Sequence, residues 1–277
     1  MFPKIFLKQF WKDTTICANK LSDHLVLGFI VAALDAFLIA LISFLYSFFS
    51  RRIMQNAVMI FAQSYGHIES ITPEAMLEFT SSSLGQSTIF IESVKNGALF
   101  LFVGYFAWSI IQTFSWHITY RITESKHGPK LLNYMRRFFI INLIWLLPMY
   151  IIMIIYFYLS TGSNLIMGDY AYLFYLVILL IAIPMHISYT MIFEKKKMGN
   201  YVLDFLKILK LENIAQILFV FLSASILYYI SDIIQAALIH SPGAMLFIGF
   251  ILVFGIIILT RLMLIRIVYR ILKNKKK

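Results

Sequence analysis

Apolar residues in this chain come in long unbroken runs, without the alternation of a half-buried strand. Six runs can be drawn, over residues 25–50, 97–118, 138–160, 170–193, 214–238 and 244–265. Each is at least as long as the ~20 apolar residues a helix needs to cross a ~30 Å hydrocarbon core. Lipid offers no partner to backbone N–H and C=O groups, so a crossing segment must satisfy them internally, as a helix does. Membrane barrel strands are ~10 residues long and alternate in character, which these runs do not. The pattern predicts an all-α polytopic membrane bundle, a single membrane domain over 1–277 with six transmembrane helices. Composition agrees: 61% of the residues are hydrophobic and 13% charged, with a mean hydropathy of +0.83. A soluble domain is nearer half apolar and a quarter charged.

Polar positions then orient the bundle. Of the 24 Lys and Arg, four fall in 1–24, five in 119–137, five in 194–212 and seven in 261–277, leaving three in 51–95 and none in 161–169 or 239–243. Basic residues are retained on the cytoplasmic side, so both termini are expected there. Arg51 and Arg52 are exceptions that can snorkel from the outer end of the first run. The net charge of +11 flanks apolar runs and belongs to no soluble domain, so the expected partners are membrane lipids and not nucleic acid. The first run is well beyond the 7–15-residue core of a signal peptide and is expected to remain as a membrane helix. Cys17 is the only cysteine, which excludes an intrachain disulfide and is expected to be a buried, idle thiol.

The outer segment 51–96 carries Ile53, Val58, Ile60, Phe61 and Tyr65 at loose helical spacing, then Thr72-Pro73-Glu74, a helix start with a capping hydroxyl and proline at the first helical position. Two short amphipathic helices are expected there, serving as a packing lid. On the cytoplasmic side, 1–24 is read as an amphipathic segment and a motif recurs: His117-Ile-Thr-Tyr120, His186-Ile-Ser-Tyr189 and Arg266-Ile-Val-Tyr269. The first two copies continue through Gly128 and Gly199 into amphipathic stretches that end at Asn142 and Asn213. This suggests a three-fold repeat of one interfacial amphipathic helix plus one membrane hairpin. Each Tyr is expected at anchoring depth, each Asn at the opening of a helix, and His117 and His186 against lipid headgroups.

Several stretches resemble the uncharacterised bacterial inner-membrane family typified by YciC. They are Ile71-Thr72-Pro73-Glu74 through Ser81–Ser83 to Asn96-Gly97-Ala98, Lys197-Met198-Gly199 through to Asn213, and Arg261-Leu-Met-Leu-Ile-Arg266. The likeness runs along nearly the whole chain, and the Lys-rich tail 273–277 departs from it. It implies a multi-pass protein of the bacterial inner membrane and supplies no activity.

Candidate chemistry is sparse. Asp35 lies mid-run, where a carboxylate costs roughly 2.5–3.5 kcal/mol on insertion scales and is either a functional residue or a protonated or hydrogen-bonded structural one. Arg261 in the sixth run is its nearest partner by depth, so an Asp35–Arg261 pair is expected. Asp232 is expected near the outer interface. Pro148 and Pro184 should bend their helices, and Gly104, Gly249 and Gly255 should allow close helix approach. No GxxxxGK[ST], GxGxxG, HExxH or GxSxG is present, and neither a metal set nor a cofactor is expected. The expectation is a non-enzymatic structural or accessory membrane component. The alternative is a small permease with a site near Asp35, and a lipid-directed intramembrane enzyme lacks a visible residue set.

Overall fold

The computed structural model describes residues 2–65, 83–123, 130–162, 181, 183–192, 204–206, 208, 210–238 and 241–273. Among the described residues six long helices carry the architecture: α1 Phe2–Asp23, α2 Leu25–Tyr65, α3 Ser83–Thr123, α4 Leu131–Gly162, α5 Leu211–Ala237 and α6 Pro242–Lys273. A shorter helical stretch covers 183–191, and there is no strand among the described residues. Among the described residues, five helices are long and apolar enough to cross a membrane, over Leu25–Ile60, Ile89–Thr123, Leu131–Ile152, Asn213–Ala237 and Gly243–Lys273. Most of the expected fourth run, 170–193, lies outside the described residues, as does the helix start at Thr72.

The long helices leave many large apolar side chains uncovered, among them Val26, Phe29, Leu147, Tyr229 and Phe247. Water would penalise such a surface by ~25 cal/mol per Å2, whereas lipid tails would not. This is the physical sense in which the chain is built as an integral membrane protein.

Helix boundaries depart from the apolar runs in an instructive way. α2 continues past Ser50 through Arg51 and Arg52 to Tyr65, so the first short helix expected in 51–65 is its extension. Residues 51–65 contain neither glycine nor proline, and nothing in the backbone requires a stop where the charge begins. α3 starts at Ser83, well before the apolar run at 97. α4 opens at Leu131 and passes Pro148 without ending. Asn142 therefore lies in the middle of α4 and opens no helix. The amphipathic stretch 131–138 is continuous with its membrane run, whereas its counterpart ends at Lys210, whose extended backbone (φ −64°, ψ 142°) precedes α5.

The chain divides into two compact units. One comprises residues 1–37, 110–141 and 182–277. Its apolar core joins Cys17 of α1, Val31 and Ala32 of α2, Ile122 of α3, Ile187 and Met191, Ile217 and Val220 of α5, and a continuous stripe of α6 from Phe254 to Leu272. α5 and α6 form an antiparallel hairpin, and α1 packs against α6. Pro242 begins α6, where its missing N–H would be unpaired anyway. At the α1–α2 junction, a Cβ on Gly28 would sit 2.7 Å from Leu21 Cδ1; glycine lets α1 turn back this tightly.

The other unit comprises residues 38–109 and 142–181. Its buried apolar side chains among the described residues are Leu38 and Phe49, and Phe49 meets Phe100 edge-on. Polar contacts supply much of the rest. Asn142 Nδ2 donates to Ser109 Oγ at 2.9 Å, and Asn56 Nδ2 donates to Glu92 Oε2 at 2.6 Å.

Candidate functional site

Asp35 of α2 and Arg261 of α6 meet inside the first unit. Asp35 is 3% exposed and Arg261 6%. Arg261 Nη1 lies 2.8 Å from Asp35 Oδ2, and Nη2 donates to Asp35 Oδ1 at 3.1 Å. No N–H is well aimed at Oδ2, so that contact is Coulombic rather than a directed hydrogen bond.

α3 closes the arrangement. Gln112 Nε2 donates to Asp35 Oδ1 at 3.1 Å, while Gln112 Oε1 accepts from Arg261 Nη2 at 3.0 Å. Ser115 Oγ donates to Asp35 Oδ1 at 2.9 Å and accepts from Arg261 Nη1. Each neutral side chain thus bridges both charges. Residues 112, 115 and 116 share one face of a helix, which brings the Trp116 ring to 5.2 Å from the guanidinium carbon, within cation–π range. Three helices are tied by one neutral ion pair whose donors and acceptors face inward.

Sequence reasoning reached the two charges by depth and missed Gln112, Ser115 and Trp116. A signal was present: a Gln and a Ser three residues apart in an otherwise apolar run place polar groups on one stripe. It lacked a direction until the neighbouring helix was known.

A second ionic cluster in the same unit was not anticipated. Asp13 of α1 is 1% exposed. Its Oδ1 accepts from Arg266 Nε at 2.7 Å and from Gln9 Nε2 at 3.2 Å, and its Oδ2 is paired with Arg270 Nη1. Arg270 also donates to Gln216 Oε1 of α5 at 2.8 Å. Lys20 Nζ donates to the carbonyl of Thr123 at the C-terminal end of α3, where a cation offsets the negative helix end. Between these contacts lies Cys17, whose thiol burial pushes up to about 11, with Asp13 adding to the rise and Arg266 and Lys20 opposing it.

The histidines and tyrosines of the first two motif copies pack against protein, whereas Tyr269 of the third is half-buried with Lys273 Nζ 5.7 Å from its ring centroid. His117 is buried against Tyr134. His186 packs among Trp116, Tyr189 and Phe221. Tyr189 is fully buried and stacks on Phe138 with centroids 4.4 Å apart, and Tyr120 is buried as well. Among the described residues no three His, Cys, Asp or Glu side chains are grouped to hold a metal ion.

The remaining singled-out residues are simpler. Asp232 is exposed near the end of α5. Gly249 lies under Gln235, whose Oε1 would be 2.6 Å from an added Cβ, whereas Gly104 has only ordinary contact with Ile42 and Gly255 faces open space. Close helix approach thus applies to Gly249 alone of the three. Comparison with protein-family models, with curated proteins and with solved structures finds no match.

Proposed function

We propose that this chain is a non-enzymatic structural or accessory protein of the bacterial inner membrane, and that the Asp35–Arg261 pair is a structural pin within it. One observation carries the reading. The guanidinium is engaged by Asp35, Gln112, Ser115 and Trp116 together, an arrangement suited to holding α2, α3 and α6 in register. A transport site would need charge presented to a solute, and these donors are taken by the protein itself.

The finer topology belongs to the same proposal. Six spans, with 170–193 as the fourth, place both termini in the cytoplasm, and the basic distribution supports this orientation. A three-fold hairpin repeat is supported by the recurrent motif and by the helix breaks at His24 and Lys210, while the unbroken α4 is its most divergent copy. Kinship with the family typified by YciC rests on the stretches given above.

The test removes the charges and keeps the packing. In a deletion strain, Asp35→Leu/Arg261→Met should restore any envelope or growth phenotype as well as the wild type does. Restoration of protein level without restoration of uptake of a defined solute would move the assignment to a small permease with its site at Asp35.

A further inference from the structure

The second unit holds a cavity of about 490 Å3 along one face of α2. Two adjacent i, i+4 ridges line it, Phe44–Phe48–Arg52–Asn56 and Ser47–Arg51–Gln55. The lining changes character along the axis. Phe44 and Phe48, both exposed, form one end, and Arg51, Arg52 and Asn56 form the other. At 1.5 Å per residue the face from 44 to 56 is roughly 18 Å long, close to one leaflet's share of the ~30 Å hydrocarbon core plus its headgroup layer.

The two arginines carry the argument. Both are exposed, and neither has a hydrogen bond or ion pair among the described residues. The nearby carboxylate is already committed: Glu92 accepts from Asn56 at 2.6 Å and from Asn96 at 3.0 Å, and lies 3.6 Å from Lys95. Two adjacent guanidiniums that line a cavity and have no partner among the described residues suit a phosphate, which they can bind through paired N–H donors. Aromatic side chains one to two turns away suit acyl chain.

We propose that this cleft binds a single anionic glycerophospholipid, with its phosphate on Arg51 and Arg52 and its acyl chains along Phe44 and Phe48. Two positive charges against one phosphate favour a net anionic headgroup over a zwitterionic one, whose own cation would face the arginines. The proposal rests on the membrane reading but fails separately from it. Recovery of the chain without detergent would overturn that reading, whereas the lipid preference is measured on detergent-solubilised protein.

The experiment is native mass spectrometry of the full chain in neutral detergent, titrated with phosphatidylglycerol and with phosphatidylcholine of the same acyl chains. Phosphatidylglycerol should be retained preferentially. Arg51→Gln/Arg52→Gln should weaken its binding about thirtyfold, as two surface cations would predict, down to the phosphatidylcholine level. Lys95→Gln, which removes a cation already paired with Glu92, should leave the preference intact. A double variant with undiminished phosphatidylglycerol preference would overturn the site, as would displacement of the lipid by inorganic phosphate at equal concentration. A photoreactive phosphatidylglycerol on the wild-type chain gives a second readout that needs no variant. Adducts should map to residues 44–56, and adducts confined elsewhere would refute the assignment.

Discussion

Two carboxylates in one unit are each held by α6 arginines, yet they are built differently. Asp35 meets one arginine, both are nearly inaccessible, and Gln112 and Ser115 bridge them. Asp13 meets two arginines whose side chains are 30% and 27% exposed, leaving a local excess of one positive charge. Arg261 is five and nine residues from Arg266 and Arg270, roughly 7 and 13 Å along the helix. Over that distance the surroundings change from fully enclosed to partly open. Charge balance is enforced where desolvation is severe and relaxed where water or headgroups reach the guanidinium.

The largest effect should come from breaking the enclosed pair on one side. Arg261→Met leaves Asp35 buried without compensation and should cost about 3–5 kcal/mol, read as lost monodisperse protein on heating in detergent. Asp35→Leu/Arg261→Met should recover most of that loss. A double variant as unstable as the single one would show that the pair is more than mutual compensation.

Asp13→Asn should cost less, about 1–2 kcal/mol, because the arginines it releases can be solvated. Its consequence should be local: α1 loosens from α6, and Cys17 becomes easier to alkylate. High salt should weaken the Asp13 contacts, whose arginines are partly open, more than the Asp35 pair, though less than the variant does.

Cys17 itself reports the closed state. With its thiol near pH 11 in place of the ordinary 9.0, the thiolate fraction at pH 8 falls about a hundredfold, so maleimide labelling should be slower by at least that factor than for a free thiol. The folded pKa is the higher one. This group's stabilising contribution is therefore present below pH 9 and fades as pH rises towards 11. Labelling at the rate of a free thiol would mean that α1 is not docked as described.

The smallest effect is a control on the same helix. Gly255→Ala meets nothing within 4 Å and should raise stability by about 0.5–1 kcal/mol through helix propensity. Gly249→Ala should give less, because Gln235 must move aside.

Much of this was legible beforehand, for identifiable reasons. Helicity and membrane residence follow from run length and backbone chemistry, which are local. The Asp35–Arg261 pairing was legible because two isolated charges at similar depth have few alternatives. Asp13 was opaque: it sits among the lysines of 1–24, each an equally good partner on paper, and its arginine partners are more than 250 residues away. The packing of His117 and His186 on neighbouring rings was hidden because their spacing fits an interfacial belt and a ring cluster equally well. Asn142 misled because a break in apolar character was taken for a break in the helix.

The division between the two kinds of knowledge is physical. Hydrophobic run length, the need to satisfy every backbone group in lipid, and the rarity of deep charges act along the chain, so the residue order alone pointed to an all-helical membrane protein and to the contact between Asp35 and Arg261. Which face of each helix points inward depends on contacts between distant segments. Only the tertiary structure decided that Gln112 and Ser115 complete the pin, that α1 locks onto α6 through Asp13, and that Arg51 and Arg52 remain without protein partners among the described residues.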